Sequence, residues 1–198
     1  MKQTIRTFVG VKINPAVRRR STEIIRMFQT APGDVKWVEP ENLHLTLKFL
    51  GDVEATEIHR VCETVTRAVA DTPRFFFELR GAGAFPTAKR PRTIWLGAGE
   101  GEREMVDLAK ALEKKLQKLG FRREGRRLKP HLTIGRIRHG GRAGEGLADL
   151  LIANAEISVG SILIDEVTVF SSTLNSSGPV YDVLARAPLA NELDRGFS

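Results

Sequence analysis

Two short stretches of this sequence repeat the same chemistry. Residues 39–51 read EPENLHLTLKFLG and residues 127–138 read RLKPHLTIGRIR. Each places a His-Leu-Thr triplet shortly after a proline and follows it with an aliphatic residue and then a basic one. The histidines, His44 and His131, lie 87 residues apart. An imidazole titrates near pH ~6.5, so a pair can hold one neutral and one protonated ring close to neutrality. That is what concerted general base and general acid catalysis requires. Displacement at phosphorus suits such a pair, because nucleophile and leaving oxygen lie on opposite sides of the phosphorus. Thr46 and Thr133 would hydrogen-bond the non-bridging oxygens, where charge accumulates. The arrangement calls for no metal and no cofactor.

The residues around each triplet say what must position it. On a strand, residues i and i+2 share a face, about 6.5–7 Å apart. Leu43, Leu45 and Leu47 alternate with His44 and Thr46, and Leu132 and Ile134 alternate with His131 and Thr133. Each strand therefore shows an imidazole and a hydroxyl to one side and an aliphatic face to the core. Phe49 continues the core-facing parity and would reach a ligand only if the strand bends before it. The remaining pattern predicts a strand over 4–13, a helix from Pro15 to about Thr30 started by Asn14-Pro15, and a helix reaching Ala70 capped by Asp52. It predicts strands over 75–85 and 93–97, and a helix over 101–119 whose stripe is Met105, Leu108, Ala109, Leu112, Leu116 and Leu119. A short helix over 145–153 follows, then strands over 162–170 and 180–187. No linker divides the series, which reads as one α+β unit, residues 1–198, with antiparallel sheets.

With 198 residues, 41% hydrophobic and 28% charged, the composition excludes global disorder, collagen and coiled coil. No apolar run approaches the ~18–20 residues of a membrane helix. The opening MKQTIRTFVGVKI lacks a signal-peptide core and reads as a strand. The one cysteine, Cys62, excludes an internal disulfide and a multi-cysteine zinc site, and a cytoplasmic address is the expectation. The net charge of +7 is unevenly spread. Residues 118–142 hold nine basic side chains against Glu124 alone, six before the second triplet and three after it, Arg136 among them. Such a patch points to a polyanion. His59 and Cys62 would share a helix face but have no further ligands nearby. Gly97 to Gly101 resembles a phosphate-cradling loop and lacks the lysine of a P-loop.

The paired motifs His44-Leu45-Thr46-Leu47 and His131-Leu132-Thr133-Ile134 resemble the hallmark of the two-histidine phosphoesterase superfamily. Within it the chain is most similar to the RNA 2′,3′-cyclic phosphodiesterases, also known as 2′-5′ RNA ligases. TIRTFVGVKI, HLTLKFLGDV, PRTIWLG and VTVFSSTLNSSGPVYDVL extend the resemblance over nearly the whole chain. The resemblance implies a bilobal, duplicated α+β fold, with two antiparallel sheets flanked by helices and a cleft between pseudo-symmetric lobes. It implies metal-independent opening of RNA 2′,3′-cyclic phosphate ends to 2′-phosphomonoesters. His44 would protonate the departing 3′-oxygen and His131 would activate water, although the pair is quasi-symmetric and titrates as a unit. Thr46, Thr133 and Arg136 would hold the phosphate, and Phe49 would support a terminal base. The partners implied are RNA ends such as tRNA fragments, or small cyclic nucleotides, acting on a monomer with no membrane association. The alternatives are 2′-5′ ligation of tRNA halves and a non-catalytic RNA-binding module.

Overall fold

A computed structural model describes residues 3–125, 128–175 and 178–191. The chain runs β1 (Thr4–Lys12), α1 (Pro15–Phe28), β2 (Val35–Trp37), β3 (His44–Glu54), α2 (Ile58–Val69), β4 (Phe75–Thr87), β5 (Arg90–Ala98), α3 (Glu102–Gln117), β6 (Leu132–Ile137), α4 (Leu147–Ala153), β7 (Ser158–Ile164), β8 (Glu166–Asn175) and β9 (Gly178–Pro188). Asn14 starts α1 by accepting the Val17 amide at 2.8 Å, and Pro15 fills the first helical position. In α3, Met105, Leu108, Ala109, Leu112 and Leu116 are buried as the 3.6-residue period predicts, while Leu119, the last residue of the predicted stripe, falls beyond the helix end and packs partly buried against the core.

Two boundaries differ from the sequence pattern. Asp52 caps no helix: β3 runs on to Glu54, where its ladder with β1 continues through Thr4, and α2 begins at Ile58. Partner-strand hydrogen bonds override the local capping preference there. The apolar run 162–170 is two strands parted at Asp165, β7 against β4 and β8 against β1, at opposite ends of the sheet. Asp165-Glu166 interrupts the apolar residues at the break, but with no glycine or proline there the run reads as continuous. The short β2, against β6, has no counterpart in the pattern.

The two expected antiparallel sheets meet in one nine-stranded sheet of order β7-β4-β5-β6-β3-β1-β8-β9, with β2 pairing off β6. One half is β3-β1-β8-β9, the other β6-β5-β4-β7. They join through the registered pair Leu45↔Leu132, the middle residues of the two His-Leu-Thr triplets. Both leucines are buried, and the helices cover their face of the sheet. The antiparallel direction then sets His44 beside Thr133 and Thr46 beside His131 on the opposite face.

The halves share one irregularity. In the β1–β3 ladder Val9 pairs with Lys48 but Gly10 pairs with Thr46, which leaves Leu47 as an extra residue. In the β5–β6 ladder Ile94 pairs with Gly135 but Trp95 pairs with Thr133, which leaves Ile134 extra. Leu47 and Ile134 each lie three residues beyond their histidine. A bulge shifts the side-chain parity by one and bends the strand. Leu47 and Lys48 are consequently both buried, and Phe49 comes out on the histidine face with 58% exposure. Arg136 emerges in the same way at the equivalent place in the other half.

The buried Lys48 ammonium donates to Glu113 Oε1 at 3.1 Å and to the Arg122 carbonyl at 2.8 Å. The equivalent Gly135 leaves room for Trp37, whose ring lies 2.9 Å from where a Cβ would be. One bulge thus ties down the loop after α3, and the other seats an indole.

Candidate active site

His44 opens β3, and His131 directly precedes β6. A 3-10 turn over Pro40–Asn42 leads into the first histidine and Pro130 fixes the backbone before the second. Both approaches bring the carbonyl two residues back under the ring. His44 Nδ1 lies 2.7 Å from the Asn42 oxygen, and His131 Nδ1 lies 2.7 Å from the Lys129 oxygen. A carbonyl only accepts, so Nδ1 carries the proton in both rings and Nε2 is the nitrogen free to exchange one. The two imidazoles are thus held in the same tautomer by equivalent bonds.

Aromatic rings fix their planes. His44 packs against Phe8 at 4.8 Å and meets Tyr181 edge-on at 5.1 Å. It lies over Gly10, where a Cβ would sit 3.6 Å from the imidazole and 2.6 Å from the Leu45 oxygen. His131 meets Phe85 edge-on at 5.1 Å and borders Trp95, and Lys129 Nζ stands 4.4 Å over the indole. Burial lowers the pKa of both histidines, and Arg136 adds to the lowering in each; the backbone hydrogen bonds pull the other way. One guanidinium therefore acts on both rings, and it is held in place by a 3.1 Å bond to Thr93 Oγ1.

A cleft of about 330 Å³ is lined by His44, Thr46, Phe49, Thr133 and Arg136, five of the six residues singled out from the sequence. The sixth, His131, is not among the lining residues; the register of the Leu45↔Leu132 pair sets it beside Thr46. The bulge answers the parity objection to Phe49. Arg6, Asn42, Ser172 and Tyr181 also line the cleft and escaped sequence reasoning. Only Tyr181, the sole tyrosine, had a compositional signal. Asn42 Nδ2 donates to the Pro179 oxygen at 2.9 Å, which ties the β8–β9 hairpin to the approach of His44.

Of the nine basic residues around the second motif, Arg136 lines the cleft and Lys129 covers Trp95. The Arg122 backbone is bound to Lys48 on the helical side of the sheet, and Arg126 and Arg127 lie outside the described residues. The glycine loop holds no phosphate cradle. The Glu78 carboxylate fills the space where a Cβ on Gly99 would sit, and it accepts the Glu100 amide at 3.3 Å. A carboxylate already occupies the anion position. His59 pairs with Glu63 at 3.1 Å, and among the described residues no three His, Cys, Asp or Glu side chains gather as a metal site.

A duplicated sheet with one His-x-Thr strand on each side of a cleft defines a two-histidine phosphoesterase. The chain matches the family described as LigT like Phosphoesterase twice, over residues 11–95 and 96–181. It belongs to that family. It is 37% identical over 177 residues to the RNA 2′,3′-cyclic phosphodiesterase of Methanothermobacter thermautotrophicus, spanning 89% of this chain and 95% of that one. Among solved structures it resembles TT0787 of Thermus thermophilus, with TM-score 0.79, 26% identity and coverage of 95% and 100%. It also resembles E. coli LigT complexed with 3′-AMP, with TM-score 0.76, 26% identity and coverage of 95% and 99%.

Proposed function

We propose that the chain hydrolyses the 2′,3′-cyclic phosphate at an RNA end to a 2′-phosphomonoester, with His44 as general acid and His131 as general base. The observation that carries this reading is the matched pair of imidazoles, each with Nδ1–H tied to a carbonyl and Nε2 free, beside two threonines and one shared arginine. The substrate class follows the activity by which the archaeal relative is known.

His131 Nε2 takes a proton from water, and the water oxygen bonds to phosphorus. The P–O3′ bond breaks in line, and O3′ takes the proton from His44 Nε2. Thr46, Thr133 and Arg136 donate to the non-bridging oxygens, where charge builds. Arg136 disfavours protonation of either ring in the free enzyme. A phosphate anion on Arg136 removes that opposition, so substrate itself favours the protonated acid. Phe49 supports the terminal base. The working form is a cytoplasmic monomer acting on RNA ends or small cyclic nucleotides.

The test is release of a 2′-phosphate from a short RNA ending in a cyclic phosphate, with EDTA present. Turnover should persist in EDTA, and His44→Ala or His131→Ala should each lower kcat by about 10²–10⁴. Undiminished turnover in either variant, or 2′-5′ joining of paired RNA halves in place of hydrolysis, would overturn the proposal.

A further inference from the structure

The cleft holds a second guanidinium that the reaction at the cyclic phosphate does not use. Arg6 lies on β1 two residues before Phe8, whose ring packs on His44. Residues i and i+2 project from one strand face, so Arg6 and Phe8 stand on the same side, about 7 Å apart along the strand. Thr7 pairs with Ser171, and Ser172 pairs with Tyr181, which brings Ser172 and Tyr181 beside Arg6 across β8 and β9. All three line the cleft. Tyr181 lines the same cleft, and both Arg136 and Arg6 pull its hydroxyl's pKa down against the larger upward push of burial.

The two arginines differ in what holds them. Arg136 is tied to Thr93, whereas the Arg6 guanidinium makes no hydrogen bond or ion pair among the described residues. Asp52 faces Arg6 across the β1–β3 ladder, yet no ion pair joins them. An exposed arginine whose guanidinium has no partner among the described residues, beside a serine in a cleft already organised for phosphate, has the donors of a second phosphate position.

The chemistry of the substrate says which phosphate that would be. In an RNA whose 3′-terminal nucleoside carries the 2′,3′-cyclic phosphate, the other phosphate on that nucleoside is the 5′ phosphodiester. Building on the proposed reaction, we infer that Arg6, with Ser172, binds the phosphodiester on the 5′ side of the terminal nucleotide. The nucleoside then spans the floor formed by Phe8 and Tyr181, with its base toward Phe49. The enzyme thereby selects chain ends over free cyclic mononucleotides, which lack that phosphate.

The experiment compares kcat/KM for a cyclic mononucleotide with that for a dinucleotide bearing the same cyclic end, in the wild type, Arg6→Ala and Arg6→Lys. Wild type should favour the dinucleotide about tenfold or more, the scale of one charge-assisted phosphate contact. Arg6→Ala should collapse that ratio toward one, and Arg6→Lys should restore part of it. On a longer single strand, Arg6→Ala should also flatten the slope of log kcat/KM against log salt by about 0.7. No preference for the dinucleotide in the wild type, or an equal fall on both substrates in Arg6→Ala, would overturn the inference while leaving the proposed reaction standing. Failure of wild type to hydrolyse either substrate would instead refute the reaction itself, and the inference with it.

Discussion

At the scale of single residues, the two histidines set the pH behaviour. Both titrate below 6.5 in the folded chain, first because they are buried and then because Arg136 faces them. The unfolded chain therefore takes up protons first as the pH falls. Above about pH 6.5 both states hold neutral rings and linkage adds nothing; below it, stability is lost progressively down through the folded-state values. His44→Gln and His131→Gln should each remove part of that loss, so their melting temperatures should approach or pass wild type on going from pH 7.5 to pH 5. A constant offset across that range would contradict the assignment. Arg136→Gln should raise both imidazole values, read as NMR titration shifts, and should lower kcat/KM by weakening the hold on phosphate. His44, Thr46, His131 and Thr133 were legible from the sequence because a period of two puts them on one face whatever the tertiary structure. Arg6 and Ser172 were not, since each is an ordinary strand residue until the sheet brings their strands together.

At the scale of elements, the bulges decide what the cleft contains. Phe49 was legible as a candidate only through the family resemblance, because strict alternation sends it to the core. An extra residue at Leu47 reverses that, and no local residue preference announces it. Gly10 shows how tightly the strands are fitted. A Cβ there would lie 2.6 Å from the Leu45 oxygen, with backbone on both sides of the conflict. Gly10→Ala should cost about 1–3 kcal/mol, as overpacking does, and displace the ring of His44. Thermal melting and the His44 NMR titration together check this. Gly125→Ala is the control, with no atom of the described residues within 4 Å of its added Cβ; its cost should stay within about 0.5 kcal/mol. An unaltered His44 titration in Gly10→Ala would show that the glycine serves packing alone.

At the scale of the molecule, the two halves meet through one registered residue pair, and the relative placement of the imidazoles depends on it. Leu45→Ala and Leu132→Ala should each cost about 2–5 kcal/mol. As contacting residues they should couple, so the double variant departs from the sum by about 0.5 kcal/mol or more in a denaturant-melting cycle. Strictly additive losses would mean that the halves are held elsewhere. The α+β class was legible in the order of elements, and the duplicated two-lobed form through the family resemblance. The joining of the two sheets was not, since nothing in either triplet says that its leucine faces the other. The strand order has a further consequence. The half that contains His131 takes β4 and β5 from the first repeat, and the half that contains His44 takes β8 and β9 from the second. Every partner of β6, namely β2, β3 and β5, precedes residue 99. A chain severed after β5 would leave β6, which His131 directly precedes, without any of its partner strands, so neither fragment can be a half-strength enzyme. Activity would return only by complementation, when both fragments fold around each other.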